Sequence, residues 1–372
     1  MLRLLLMYSF SSANAALARP IRLKIGDVKQ RLARFGVSTA GIMEAETLRE
    51  MLAQQCPAEA SGAGHAVPLE RARAADAAMG DGVNVFDKTY YSIRLELSGA
   101  EASRAAGVQW VIDSAASNSL ITPAAAQLLG ARGTGVTASA DTSTTTGVGG
   151  FKQVDLGTAS LAGGLMCGPL QPVVMELPVA GECGLLGLDF LTRHDIDLRL
   201  RPALPCAVFH DTGSAVRGEL DSIDGLSELG CTRLPSGLLS TRVQLVPEGG
   251  AGGEVQAVVD LGSTVTLCTW AAAEAAGLQK DDPRVRQTDD VIAGATGEPV
   301  RVSEVVMTLQ IGGAKRTDVL VNIADLPIFS AIGLPPAAAV LGLDTLAPNA
   351  ETNADGSRIV LAAKDTRVWI EA

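Results

Sequence analysis

A chain of 372 residues is too long for one small domain, and at roughly 150 residues per domain it reads as about two. Hydrophobic residues make up 47%, yet aromatics are only 3% and glycine numbers 40, so a core of Val, Leu, Ile and Ala between tight turns is expected, as in a turn-rich β protein. The formal net charge of −11 excludes a nucleic-acid surface spread over the whole molecule, because like charge repels phosphate, and leaves only a local basic patch open.

Residues 1–25 carry Arg3, an apolar run from Leu4 to Phe10 and the small residues Ser11 to Ala15, with no acid before Asp27. That pattern reads as a targeting segment, secretory or organellar. No other stretch approaches the about 20 apolar residues of a membrane span.

Residues 26–55 hold two helical patches, 26–35 and 43–52, around the turn at 36–41, with Val28, Leu32 and Phe35 on one face. The segment resembles the small SAP-like helix-extended-helix module, whose relatives bind nucleic acids or proteins; a plain docking hairpin is the other reading. Residues 56–83 are Ala- and Gly-rich with no periodicity and read as a linker.

The remainder repeats itself. A strand-like run at Tyr90 to Leu97 leads to Val111-Ile112-Asp113-Ser114-Ala115, and a second at Leu239 to Val246 leads to Val258-Val259-Asp260-Leu261-Gly262-Ser263. Each is followed by an Ala-rich helix that stops at a glycine, Gly130 or Gly277, the residue suited to a left-handed cap. Leu185-Leu186-Gly187 recurs later as Val340-Leu341-Gly342, beside Asp189 and Asp344. The two aspartates are 147 residues apart and the two glycines 155, so the repeat keeps its spacing at two separate landmarks and implies two homologous lobes.

In order and composition residues 84–372 resemble the aspartic peptidases of the pepsin and retropepsin kind. The resemblance implies a mainly β fold of two homologous lobes of the aspartic-peptidase (double-ψ β-barrel) type behind a short α-helical module. Lobe 1 is expected at 84–212, a connection at 213–236 and lobe 2 at 237–372. It further implies that Asp113 and Asp260 are catalytic, one carboxyl protonated and one ionised, activating a water on a peptide carbonyl. Ser114, Ala115, Gly262 and Ser263 are expected to support the dyad. No metal or cofactor is required. The expected partner is a peptide or protein substrate, nucleic acid is not expected, and with both lobes in one chain a monomer is.

Two positions depart from the pattern. Ala115 stands where a glycine is usual, and Leu261 replaces a Thr or Ser whose hydroxyl crosses the lobe interface, while Ser114 keeps it on the other side. A lost buried hydrogen bond costs about 1–3 kcal/mol, enough to loosen the dyad without unfolding the chain. Two readings follow: an active endopeptidase, and a catalytically inactive peptide-binding protein of the same fold.

The flexible stretch 142–150, with Thr145, Thr146, Gly147, Gly149 and Gly150, is expected to be a flap over the cleft. Residues 292–297 hold the matching place in lobe 2, where an ordinary surface loop is the expectation. Neither has the Tyr of pepsin-like flaps, which points to the retropepsin-like branch. Asp211-Thr212-Gly213 spells the family triplet but follows Phe209-His210 without the strand and capped helix, so a turn is expected there. Asp189 and Asp344 read as structural caps. The six cysteines lie far apart without a CxxC pair, compatible with disulfides or buried thiols, and the three histidines form no motif.

Overall fold

The computed structural model describes residues 25–34, 37–40, 45–55, 64–73, 89–100, 102–105, 107–137, 152–161, 164–177, 183–220, 223–292, 300–350, 352 and 356–372. The expected targeting segment, the flap residues Thr145, Thr146, Gly147, Gly149 and Gly150, the tip at 293–299 and Cys56 lie outside these.

Helical spacing of apolar residues shapes α1 (Ile25–Arg34) and α2 (Ala45–Gln55), which bury Val28 and Leu32 against Leu48 and Leu52 in a small core of their own. Val37, between them, also packs on Ala66, Cys206 and Val208, so the hairpin rests on the sheet that those residues belong to. Among the described residues no helix is long and apolar enough to cross a membrane.

Lobe 1 is built on β2 (Glu70–Arg73), β3 (Thr89–Ile93), β5 (Gln109–Ile112), β6 (Leu120–Ile121), β7 (Arg132–Thr137), β8 (Lys152–Asp155), β11 (Val173–Val174) and β12 (Cys183–Leu186), hydrogen-bonded in the order β2-β3-β5-β12-β6-β11-β8-β7. A ribbon of β4 (Leu95–Leu97), β9 (Thr158–Leu161) and β10 (Leu165–Pro169) adjoins it, with the short α3 (Ala102–Ala105) between β4 and β5. Lobe 2 repeats the plan with β16 (Thr232–Arg233), β17 (Leu239–Pro247), β18 (Gly253–Val259), β19 (Leu267–Cys268), β20 (Arg286–Ile292), β21 (Val300–Ile311), β22 (Ala314–Ile323) and β23 (Ala338–Leu341). Their order is β16-β17-β18-β23-β19-β22-β21-β20, and a further β17–β21 pairing curls the sheet on itself.

The same crossing occurs in both lobes. β5 runs parallel to β12 on one side, and after the Asp113 loop the chain returns as β6 on the other side of β12. In lobe 2, β18 and β19 straddle β23 in the same way, so each lobe carries one ψ-shaped crossing with an aspartate at its bend. The helices that follow, α4 (Pro123–Leu128) and α6 (Trp270–Ala275), start at Thr122 and Thr269, whose hydroxyls accept the Ala125 and Ala272 N–H groups. Both end as expected, at Gly130 with φ 65° and Gly277 with φ 87°. Among the described residues there are also the short helices α5 (Leu188–Leu191) after Gly187, α7 (Ile328–Ala331), and α8 (Leu343–Leu346) after Gly342.

A third sheet departs from the expected division. β1 (His65–Pro68), β13 (Asp195–Leu200), β14 (Cys206–His210), β15 (Leu226–Glu228), β24 (Ser357–Ala362) and β25 (Arg367–Glu371) form one sheet in the order β1-β14-β13-β24-β25-β15. Its central pairing joins β13 of the first half to β24 of the second, Ile196 opposite Leu361 through Leu200 opposite Ser357. The boundaries at 212 and 237 therefore cut a shared sheet, because the end of each half completes the other's edge. The linker reading of 56–83 does not hold at 65–73: β1 pairs with the sequence-distant β14 in the shared sheet, and β2 pairs with the next strand, β3, in lobe 1.

Candidate active site

The two bends bring Asp113 and Asp260 together. Asp113 N–H donates to the Leu186 carbonyl and Asp260 N–H to the Leu341 carbonyl, both at 3.0 Å, so each aspartate is anchored by the strand it crosses. The two carboxyls lie close enough that the charge of Asp113 raises Asp260. A β-carbon on Gly262 would stand 2.6 Å from Asp113 Cγ, so the lobe 2 backbone touches the lobe 1 carboxyl and only glycine leaves room.

Backbone donors hold each carboxylate. Ala115 N–H donates to Asp113 Oδ1 at 2.9 Å, while Gly262 and Ser263 N–H donate to Asp260 Oδ1 at 2.8 and 3.1 Å. Ala115 makes this contact without left-handed backbone, since among the described non-glycine residues only Asp318 and Thr366 have positive φ. A methyl group at 115 is thus compatible with the loop. Ser263 supports the dyad through its N–H; its hydroxyl turns away and donates to the Val265 carbonyl at 2.7 Å.

Across the interface Ser114, fully buried, donates through Oγ to the Val259 carbonyl at 2.7 Å and accepts the Leu261 N–H at 2.9 Å. Leu261, 3% exposed, gives no hydroxyl in return and packs into the main core. Burial lifts both dyad carboxyls above the ordinary aspartate range. The Asp113 charge lifts Asp260 further, and backbone N–H groups restrain both carboxyls, those of Ala115 and Ala116 at Asp113 and those of Gly262 and Ser263 at Asp260.

Gly187 and Gly342 fill the slots expected beneath the loops. A β-carbon on Gly187 would lie 2.5 Å from the Asn118 carbonyl carbon, and one on Gly342 2.4 Å from the Val265 oxygen. Asp189 and Asp344 are structural, though not as helix caps: Asp189 Oδ1 accepts Ser119 N–H and Oγ–H, both at 2.7 Å, and Asp344 accepts Thr266 N–H at 2.9 Å and Oγ1–H at 2.6 Å. Each carboxylate ties the helix after the glycine to the loop that carries the catalytic-type aspartate.

Asp211-Thr212-Gly213 forms a turn, with Ser214 N–H on the Asp211 carbonyl and Gly213 at φ 85°. β20 and β21 make the stem of the lobe 2 hairpin. Cys167, Cys183, Cys231 and Cys268 are free thiols. Among the described residues no cluster of three or more His, Cys, Asp or Glu is disposed to hold a metal ion.

One residue at the site escaped the sequence reading. β3 runs antiparallel to β5 with Ile93 opposite Trp110 and Ser92 opposite Val111, and burial, then the Asp260 charge, hold the phenol of Tyr90 above its ordinary value. The strand-like run was visible, but its alignment on β5 was not, because the loop between them has no turn motif of fixed length.

The crossings, the paired aspartates and the glycines beneath them follow the plan of the pepsin- and retropepsin-like aspartic-peptidase fold. A family model described as aspartyl protease matches residues 248–345, within lobe 2. No curated protein matches the chain. Among solved structures it is similar to a retropepsin-like aspartic protease from Rickettsia conorii, at 15% identity over 39% of this chain and 90% of that one, with TM-score 0.27. It is also similar to the aspartic proteinase from Irpex lacteus, at 13% identity over 83% of this chain and 97% of that one, with TM-score 0.47.

Proposed function

We propose that the protein is an aspartic endopeptidase in which Asp113 and Asp260 activate a water to hydrolyse a peptide bond. The observation that carries this reading is the meeting of two buried carboxyls, each at the bend of its lobe's crossing and held by backbone N–H groups, with the Gly262 backbone against the Asp113 carboxyl. In the reaction, the ionised carboxylate of the pair takes a proton from water while the protonated carboxyl gives its own to the carbonyl oxygen, forming a gem-diol. The carboxyl that took the water's proton then passes it to the nitrogen while the other carboxylate takes a proton from a diol hydroxyl, so the C–N bond breaks to a carboxylic acid and an amine and the dyad returns to its starting state. The pair titrates as a unit, so activity should rise and fall with two apparent pKa values of the dyad. Both carboxyls come from one chain, which makes a monomer sufficient. We assign the peptidase unit to the two lobes and their shared sheet, and the helical hairpin to docking.

Leu261 favours a second reading, a peptide-binding protein without catalysis, because one cross-lobe hydroxyl is missing. Incubating the full chain with a mixed peptide library from acid to neutral pH, beside Asp113→Asn and Asp260→Asn, separates the two. Cleavage by wild type that both substitutions abolish supports the endopeptidase. A folded wild type that binds peptides and cleaves none at any pH replaces it with the binding protein.

A further inference from the structure

We infer that a cavity at the stem of the lobe 2 hairpin is a second recognition site, one that takes an acidic side chain of the polypeptide substrate. That the occupant is a substrate rests on the peptidase reading; that it is anionic rests on the cavity itself.

The cavity holds about 420 Å³, within the about 300–1,000 Å³ of small-ligand clefts. Its walls come from three places: Trp270 at the start of α6, Lys280 in the turn behind that helix, and the β20–β21 stem with Gln287, Asp289, Arg301 and Ser303. A bulge shapes the last of these. The ladder sets Gln287 opposite Ser303 and then Val291 opposite Arg301, so residues 288–290 stand against Val302 alone. Thr288 closes the bulge, its hydroxyl donating to the Val302 carbonyl at 2.8 Å and accepting the Asp290 N–H at 3.3 Å. Bulges of this kind re-aim side chains that a regular ladder would fix.

The charged and amide groups of the lining present donors. Ser303 Oγ donates to Gln287 Oε1 at 2.9 Å, which occupies the amide oxygen and leaves its NH2 group, whose reach to the Lys280 carbonyl is 3.4 Å. The Lys280 ammonium lies 5.4 Å from the centroid of the Trp270 ring and pairs with no carboxylate among the described residues. The acid of the lining, Asp289, is held by Arg301 at 3.1 Å, with 96% and 75% of the two side chains exposed, and so open a pair yields readily to a competing carboxylate. Asp281 and Asp290 do not line the cavity, and Asp325 Oδ1 is occupied by the Trp270 N–H at 2.9 Å. A chain of net charge −11 thus turns two cations and an indole face to one hollow. An entering aspartate or glutamate meets Lys280 and Arg301 with its carboxylate and Trp270 with its methylenes.

The indole also supplies the readout. Trp270 is half-buried, whereas Trp110 and Trp369, the chain's other tryptophans, are buried. The test titrates the intrinsic fluorescence of the full chain with the capped peptide Ala-Ala-Glu-Ala-Ala, with its Gln counterpart and with sodium phosphate. The Glu peptide should bind about tenfold tighter than the Gln peptide, as for one charged hydrogen-bonded contact. Lys280 and Arg301 are exposed, so Lys280→Ala and Arg301→Ala leave the core intact; each should weaken the Glu peptide about tenfold and leave the Gln peptide unchanged. Lys280→Glu should turn the preference toward a Lys peptide. With cleaved substrates, Lys280→Ala should raise KM about tenfold for acidic peptides while kcat, and KM for neutral ones, stay as in wild type. Equal affinity for the Glu and Gln peptides, phosphate bound as tightly as the Glu peptide, or an unchanged KM for acidic substrates would overturn the inference. A wild type that cleaves nothing sinks the peptidase reading instead, and the fluorescence titration still judges the site.

Discussion

Ser114 and Leu261 are joined by a single 2.9 Å hydrogen bond in which the serine hydroxyl accepts the leucine N–H, a one-sided hold between the lobes at the floor of the candidate site. Replacing Ser114 with Ala would strand that N–H and the Val259 carbonyl in a fully buried place, at about 1–3 kcal/mol of stability. Denaturant unfolding should show the loss, and peptide hydrolysis should fall with it because the aspartate loops are no longer held together.

Gly262 and Ala115 occupy corresponding places, yet opposite substitutions should have unequal effects. Gly262→Ala puts a methyl 2.6 Å from Asp113 Cγ, so the dyad has to move, and a displacement of about 1 Å costs on the order of 100-fold in rate. Ala115→Gly keeps the N–H that holds Asp113 and should leave the rate near wild type, with a loss of about 0.4–1 kcal/mol from a more flexible unfolded chain. Steady-state kinetics and thermal unfolding of the two variants check both halves.

The dyad should weaken the fold as pH rises. Both carboxyls titrate above the ordinary value of 3.8, and a carboxyl raised in the folded state contributes stability that is full below its unfolded pKa and lost as pH climbs through the folded one. Asp260→Asn should therefore be more stable than wild type at pH 7, by on the order of 1 kcal/mol, with the difference vanishing below about pH 4. Melting temperatures across that range would show it; an equal Tm at pH 7 would contradict it.

Asp197 should behave in the opposite sense. Burial pushes its carboxyl up, but the hydrogen bonds from Arg358 and the charge of Arg199 overcome that and leave it below the ordinary range. Its stabilisation is present above about pH 4 and is lost as pH falls through the depressed value. Asp197→Asn abandons two largely buried guanidinium groups and should cost about 3–5 kcal/mol at pH 7 but less at pH 2 to 3, measured by urea unfolding at each pH.

The local grammar of the site was legible because each part is encoded within a few residues. A strand ending in Asp, an Ala-rich helix that stops at a glycine and an apolar pair before Gly187 or Gly342 recur at nearly constant spacing, and the structure places them as one crossing per lobe. Ala115 and Leu261 were legible as departures, but their outcomes depended on backbone angle and packing. The shared sheet was hidden because β13 and β24 are far apart in the chain, and because Asp197 and Arg358 look like surface charges until they are seen to face each other at 2.8 Å. β1 and β2 were hidden in a stretch whose composition resembles a linker. Asp189 and Asp344 were recognisable as structural, whereas their partners, Ser119 and Thr266, required the loop to fold back first.

The β13–β24 seam has a consequence for synthesis. Residue 200 ends β13 and residue 357 begins β24, so at about 5–20 residues per second the strand that completes β13 is made roughly 10–30 s later. Throughout that interval the nascent first half presents Asp195 to Leu200 as an unpaired edge, the kind of edge that recruits a neighbouring chain. Translation speed between the two strands, as much as the finished interactions, therefore governs how much of this protein reaches its own partner strand before meeting another molecule's.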